Sequence, residues 1–188
     1  MKEKLTDHAI RLFDEKGFTV TSIQDIVESI GVTKGTFYYY YSSKEELLRE
    51  IHIRYINELL SKQESILKDD GKSYREKLFD IVHLSIVDIK EQGSSAKVFF
   101  REIRHLSQES LEIIEPKRDM YRYNIEALLD DGKRKGDFRK DFDVSIVTFG
   151  ILGMMNWSYQ WYKPDGSKSG REIAGTFVEM ILRGIEEG

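Results

Sequence analysis

Proline occurs only twice in the 188 residues, at Pro116 and Pro164, so nearly all of the backbone is free to hydrogen-bond without interruption. Apolar residues recur three and four apart almost throughout, and no stretch alternates with the period of two that a half-buried strand needs. The chain reads as all-α. Leu5, Ala9, Leu12 and Phe13 form one face of a first helix that stops at Gly17, a residue suited to a left-handed C-terminal cap. Ser22, with Asp25 three residues on, predicts a capped short helix through Ile23, Ile26, Val27 and Ile30, ending at Gly31. A second short helix follows from Thr33 to Tyr39, and Ser43 then caps a long one reaching about Leu67, before Asp69-Asp70-Gly71. Beyond it the pattern predicts helices over 74–90, 95–106, 110–135 (kinked by Pro116), 144–162 and 172–185. Gln92-Gly93-Ser94, Gly136-Asp137 and Pro164-Asp165-Gly166-Ser167 punctuate them.

Several classes of function are disfavoured at once. With no cysteine there is no disulfide, thiolate metal site or cysteine nucleophile. His8, His52, His83 and His105 are scattered without ligand spacing, and neither a glycine-rich phosphate loop nor a serine elbow is present, so no catalytic or metal-binding residue is assigned. The first 18 residues contain no apolar run, which argues against a leader and for a cytoplasmic protein. Residues 144–162 run for 19 positions without a charge, close to the roughly 20 needed to cross a bilayer. Ser145, Thr148, Asn156, Ser158, Gln160 and two glycines favour a buried helix instead, and Gly150 and Gly153, three apart, suit close approach of another helix at an interface.

Two short helices joined at Gly31, between a preceding helix and a long following one, have the layout of a helix-turn-helix. The global charge of −4, from 33 acids and 29 bases, argues against a nucleic-acid coat protein. Locally the balance differs. Residues 1–44 carry six acids and six bases, and between Glu28 and Glu45 there is no acid, while Lys34, Lys44, Thr33, Thr36 and Tyr38 to Tyr41 supply donors. Such a surface can approach phosphates and base edges without repulsion. The helical period turns Phe37 and Tyr41 inward and leaves Tyr38, Tyr39 and Tyr40 partly outward; the alternative is that these rings serve a protein interface.

Gly17-Phe18, Thr21-Ser22-Ile23, Asp25-Ile26-Val27, Gly31-Val32-Thr33-Lys34-Gly35-Thr36-Phe37-Tyr38 and Ser43-Lys44-Glu45-Glu46-Leu47 resemble the DNA-binding signature of TetR-type bacterial repressors, over about the first 50 residues. The resemblance implies a helix-turn-helix head (1–48) on a helical body (49–188) for ligand binding and dimerisation, the dimer reading a palindromic operator in major grooves about 34 Å apart. Carried over position by position, Thr33, Lys34, Gly35, Thr36, Tyr38, Tyr39 and Tyr40 fall on the recognition helix. Ser22 and Gln24 fall on the helix before it, and Lys44 where family members grip a phosphate. Tyr40 and Tyr41 depart from the usual histidine and phenylalanine, and Val27 from the usual alanine.

In the body, Phe99, Phe100, Tyr121 and Tyr123 are candidates to line an apolar effector cavity, with core packing as the alternative. Arg101 and Arg104, three apart, are candidates to hold a phosphate or carboxylate at its mouth; ordinary pairing with nearby glutamates is the competing reading. The segment Asn156-Trp157-Ser158-Tyr159-Gln160-Trp161-Tyr162-Lys163-Pro164-Asp165-Gly166 is similar to one in TetR-type regulators of fatty-acid, steroid-ring and phenylacetate breakdown. That similarity implies a small hydrophobic or acyl-coenzyme A effector, near Trp157 and Trp161; otherwise these two rings pack on the last helix. The expected function is thus a ligand-responsive homodimeric repressor, not an enzyme, with no resident cofactor and no membrane association. The competing expectations are a chromosome-organising DNA binder without an effector, and a helical interaction module.

Overall fold

The local signals produce helices where the caps predict them. In a computed structural model, which describes residues 1–185 except the side chains of Lys90, Glu91 and Ile185, no strand occurs among the described residues. The helices are α1 (Lys2–Lys16), α2 (Ile23–Glu28), α3 (Lys34–Tyr40), α4 (Lys44–Leu67), α5 (Tyr74–Arg101), a 3-10 turn (Glu102–His105), α6 (Gln108–Lys135), α7 (Val144–Trp161) and α8 (Gly170–Ile185). Ile185, the last residue of the helix expected over 172–185, has a side chain outside the described residues.

Three details differ from the sequence reading. The break at Gln92-Gly93-Ser94 does not end a helix: α5 runs through it, bending at Gln92, whose φ of −127° and ψ of 32° leave the helical region. Beyond Arg101 the chain tightens into the 3-10 turn. Gly17 has the expected positive φ, +85°, but a ψ of 156° lies outside left-handed helix.

The chain forms two compact units, residues 1–57 with 92–116, and residues 58–91 with 117–188. Helices α4, α5 and α6 therefore each pass from one unit into the other. The first unit is built on Leu5, Ala9, Phe13, Phe18, Ile26, Val27, Phe37, Tyr41, Leu47 and Leu48 from the N-terminal helices, joined by Val98, Leu106 and Ile114. Residues 92–116 thus pack with the N-terminal helices. In the second unit Ile86, Ile89 and Tyr162 are buried against Tyr159, Ile173 and Phe177. Its α6 closes by folding Phe138 back on Gly132, where a Cβ would stand 2.3 Å from the ring, so only glycine fits.

Candidate nucleic-acid interface

Each short helix of the first unit is opened by its own side chains. The Ser22 hydroxyl accepts from the Asp25 backbone N–H (3.1 Å), and the Asp25 carboxylate accepts from the Ser22 N–H (2.7 Å). Donation to that carboxylate from the Ser22 hydroxyl (2.5 Å), and then from the Ser22 N–H, holds the Asp25 carboxyl below its ordinary range. Gly31, at φ +69°, makes the turn, a conformation that costs glycine nothing. Thr33 then caps α3 by accepting from the Thr36 N–H at 3.4 Å. Ser43 caps α4 through the Glu46 N–H at 3.1 Å.

The aromatic residues of α3 sort as their spacing requires. Phe37 and Tyr41 are 0% and 1% exposed, whereas Tyr38 is 54% and Tyr39 81% exposed; Tyr40 is half-buried, with its ring edge on Tyr39 at 4.8 Å. Thr33, Lys34 and Gly35 are exposed and Thr36 half-buried, so α3 presents a continuous face of hydroxyl, ammonium and phenol groups. Ser22 and Gln24 are exposed on α2, with the Gln24 amide turned to Glu28. The additional oxygen of Tyr41 has a partner: its hydroxyl shares a 2.7 Å hydrogen bond with Thr6, and burial raises its pKa above the ordinary value.

Lys44 is placed differently from the other candidates. Its ammonium donates to the carbonyls of Phe18 and Thr21, both at 2.7 Å, and lies 4.3 Å from the centroid of the Phe18 ring. Burial lowers its pKa below the ordinary value.

The candidate effector residues do not gather in one unit. Phe99, Phe100, Arg101 and Arg104 belong to the first and Tyr121, Tyr123, Trp157 and Trp161 to the second. Phe99 is buried between Tyr55 (4.7 Å), Phe100 (5.2 Å) and His52 (5.3 Å). Arg101 is spent on α1. Its guanidinium donates to the Phe13 and Asp14 carbonyls at 2.6 and 3.1 Å and to Glu102 at 2.7 Å. The Phe13 carbonyl also accepts the Gly17 N–H at 2.9 Å, and the guanidinium adds a cation at the negative end of the α1 dipole. Lys97 and Ser94 add contacts to Asp14 at 3.5 and 2.8 Å. Arg104 is exposed and reaches the His105 ring at 3.3 Å; both arginines border an open cleft of about 360 Å³ lined also by residues 14–20. No local sequence signal pointed to the role of Phe18, His105 or Asp14 here, because their partners lie far along the chain.

In the second unit Tyr121 is buried, its hydroxyl 3.3 Å from Ser85, its carbonyl accepting from Gln63 at 3.0 Å, and burial pushes its pKa up to about 12. Tyr123 is 54% exposed beneath the Arg122 guanidinium at 4.1 Å. Trp157 (63%) and Trp161 (44%) are exposed with Ile146, Phe149 and Met180, and the space beside Gly150 and Gly153 is open. The uncharged run is therefore one-sided: Thr148, Ile151, Met155 and Ser158 face inward, and an apolar stripe faces out. No helix among the described residues is long and apolar enough to cross a membrane. Nor does any group of three or more His, Asp or Glu among them have the arrangement of a metal site.

The bacterial regulatory protein pattern of the tetR family matches residues 5–51, and the tetracyclin repressor-like C-terminal domain matches residues 71–185. The chain belongs to the TetR family. It is a DNA-binding, ligand-responsive transcriptional regulator acting on operator DNA as a dimer. Among its relatives is the HTH-type transcriptional repressor KstR2 of Mycolicibacterium smegmatis, 27% identical over 99% of this chain and 91% of that protein. The TetR-family regulator PfmR of Thermus thermophilus is 31% identical, with a TM-score of 0.89 over 97% of this chain and 99% of that one. AibR, solved with isovaleryl coenzyme A and operator DNA, is 25% identical, with a TM-score of 0.87 over 96% and 97% of the two chains.

Proposed function

We propose that this TetR-family regulator is a cytoplasmic repressor that leaves its operator when a small acyl-coenzyme A thioester binds its body. The observation that carries the effector class is the likeness, over nearly the whole chain, to AibR in complex with isovaleryl coenzyme A and operator DNA. The segment from Asn156 to Gly166 supports the same class. In this reading Thr33, Lys34, Gly35, Thr36, Tyr38, Tyr39 and Tyr40 enter the major groove, and Ser22 and Gln24 meet the backbone and bases beside it. The exposed stripe of α7, with Met180 of α8, meets its copy across a two-fold axis. Effector binding selects a position of α4 in which the two recognition helices no longer match successive major grooves.

The test begins with an operator selected from random DNA by the purified protein, which is expected to be a palindrome. Fluorescence anisotropy on that operator is then followed during titration with isovaleryl coenzyme A, longer acyl thioesters and free coenzyme A. Release by a thioester, with a raised melting temperature of the protein, is expected. Neither release nor stabilisation by any thioester overturns the effector reading; if other metabolites also fail, a DNA binder without an effector is favoured.

A further inference from the structure

We propose that Asp88 is a specificity-determining residue of the effector site: its carboxylate accepts a hydrogen bond from a hydroxyl or amide N–H of the bound molecule. The inference deepens the effector reading above and rests on it. Inside the second unit three helices bring polar side chains together, Lys62 and Gln63 from α4, Ser85 and Asp88 from α5, and Tyr121 and Asn124 from α6. Most of these groups are matched among themselves. Gln63, fully buried, donates to the Tyr121 carbonyl at 3.0 Å and accepts from the Asn124 amide at 2.8 Å. The Ser85 hydroxyl gives its hydrogen to the Ile81 carbonyl (3.2 Å), so in its 3.3 Å contact with Tyr121 the phenol donates and the phenol oxygen keeps a lone pair. Asp88 is the exception. It is 1% exposed, and its Oδ1 accepts at 2.9 Å from Lys62, which also pairs with Glu58 at 3.0 Å. Its Oδ2 is buried too, and no group among the described residues donates to it. The Asp88 charge adds to burial in raising the Tyr121 pKa, so the two oxygens lie within electrostatic reach of each other.

A buried carboxylate oxygen with an unmade bond is destabilising, and a ligand that brings the donor removes that cost. A ligand oxygen that only accepts meets acceptors there and is disfavoured. A plain acyl chain has no hydrogen to give. A hydroxylated chain has one, and the pantetheine arm of coenzyme A has its amide N–H groups.

Calorimetric titration of the full-length wild type and Asp88→Asn, without DNA, compares butyryl, 3-hydroxybutyryl and acetoacetyl coenzyme A with free coenzyme A. In the variant Lys62 keeps the amide oxygen, and the amide nitrogen puts a donor where Oδ2 accepted. If the donor is a hydroxyl, the wild type is expected to prefer the 3-hydroxy thioester to the 3-oxo one by roughly 10–100-fold, and the variant to lose or reverse that preference. A misfolded pocket weakens both but does not reverse them. If the donor is a pantetheine amide, the chains are bound alike and the variant loses a similar factor on every compound, free coenzyme A included. Equal binding of each compound by the two proteins overturns the proposal and leaves the thioester effector standing. Should the wild type bind no coenzyme A compound, the thioester class falls, and thermal shift with matched alcohols and ketones, such as borneol and camphor, decides Asp88. A larger shift from the alcohol, absent in the variant, upholds it; equal shifts overturn it. Where Asp88→Asn does not fold or melts lower without ligand, the crystal structure of the wild type with its tightest-binding compound decides. A ligand donor on Asp88 Oδ2 upholds the proposal, and water alone there refutes it.

Discussion

The N-terminal helices and the α7–α8 pair expose opposite kinds of surface. On α3 the large exposed side chains are Tyr38 and Tyr39, each an apolar ring ending in a hydroxyl, flanked by Thr33 and Lys34. On α7 and α8 they are Ile146, Phe149, Trp157, Trp161 and Met180, a hydrocarbon stripe with two glycines and no charge along α7. A phenol-and-ammonium face suits a hydrated, anionic partner such as DNA, whereas a bare hydrocarbon face is stable in water only when another apolar surface covers it. One chain thus exposes two surfaces of different chemistry, and in the proposed reading, with DNA on the first and a second copy on the other, each is useful only if the other works.

The comparison is broken most severely at the hydrocarbon face. Trp157→Asp places a charge in the expected dimer core and should cost about 2–4 kcal/mol per subunit in association. Sedimentation should show monomers at micromolar concentration, and operator affinity should collapse although the head is untouched; a dimer that persists would refute the assigned face. Next in size is the DNA face: Tyr39→Ala and Lys34→Ala should each cost about 1–3 kcal/mol of operator affinity, leaving the dimer and the melting temperature intact. Anisotropy alongside sedimentation separates the two classes of variant.

Smaller effects test how the first unit is held together. Arg101→Ala removes a charged donor from the Asp14 carbonyl and from the Phe13 carbonyl, which keeps the Gly17 N–H, and should lower stability by about 1–2 kcal/mol, read by urea denaturation. An effect confined to thioester response, with stability unchanged, would return Arg101 to the effector site. Tyr41→Phe restores the residue usual in the family but leaves Thr6 without its 2.7 Å partner, for a loss of about 1 kcal/mol. The smallest effect lies at the start of α8. Glu172 accepts from the Ser169 N–H and hydroxyl, both at 2.9 Å, and these bonds with Lys168 hold its carboxyl at about 2, below the ordinary 4.5. Because the folded value is the lower one, the cap stabilises fully above pH 4.5 and is lost as the pH falls towards 2. Glu172→Gln should flatten the acid limb of the stability curve in that window.

Much of this was legible before any coordinates, because helix starts, stops and inward faces are set by residues three or four apart. Ser22 with Asp25, Ser43 and the Phe37–Tyr41 pair all act within a single turn and stand where the sequence predicted, while Thr33, expected as the first residue of a helix, is its cap. The acid-free stretch from Ser29 to Lys44 is likewise a local property, and it mattered more than the net charge of −4. Some features had no such local signature. Arg101 reaches the Phe13 carbonyl across 88 positions, and Lys44 reaches Phe18 across 26, so spacing along one helix could not distinguish a cation aimed at a ligand from one aimed at a carbonyl. The sequence alone determined the all-helical architecture and the short capped helices α2 and α3, because caps, glycines and periodicity are short-range. Only the tertiary structure decided that residues 92–116 pack with the N-terminal helices, that Lys44 turns inward, and which side of the uncharged helix stays open, because those outcomes depend on which distant backbone carbonyls and apolar faces lack a partner of their own.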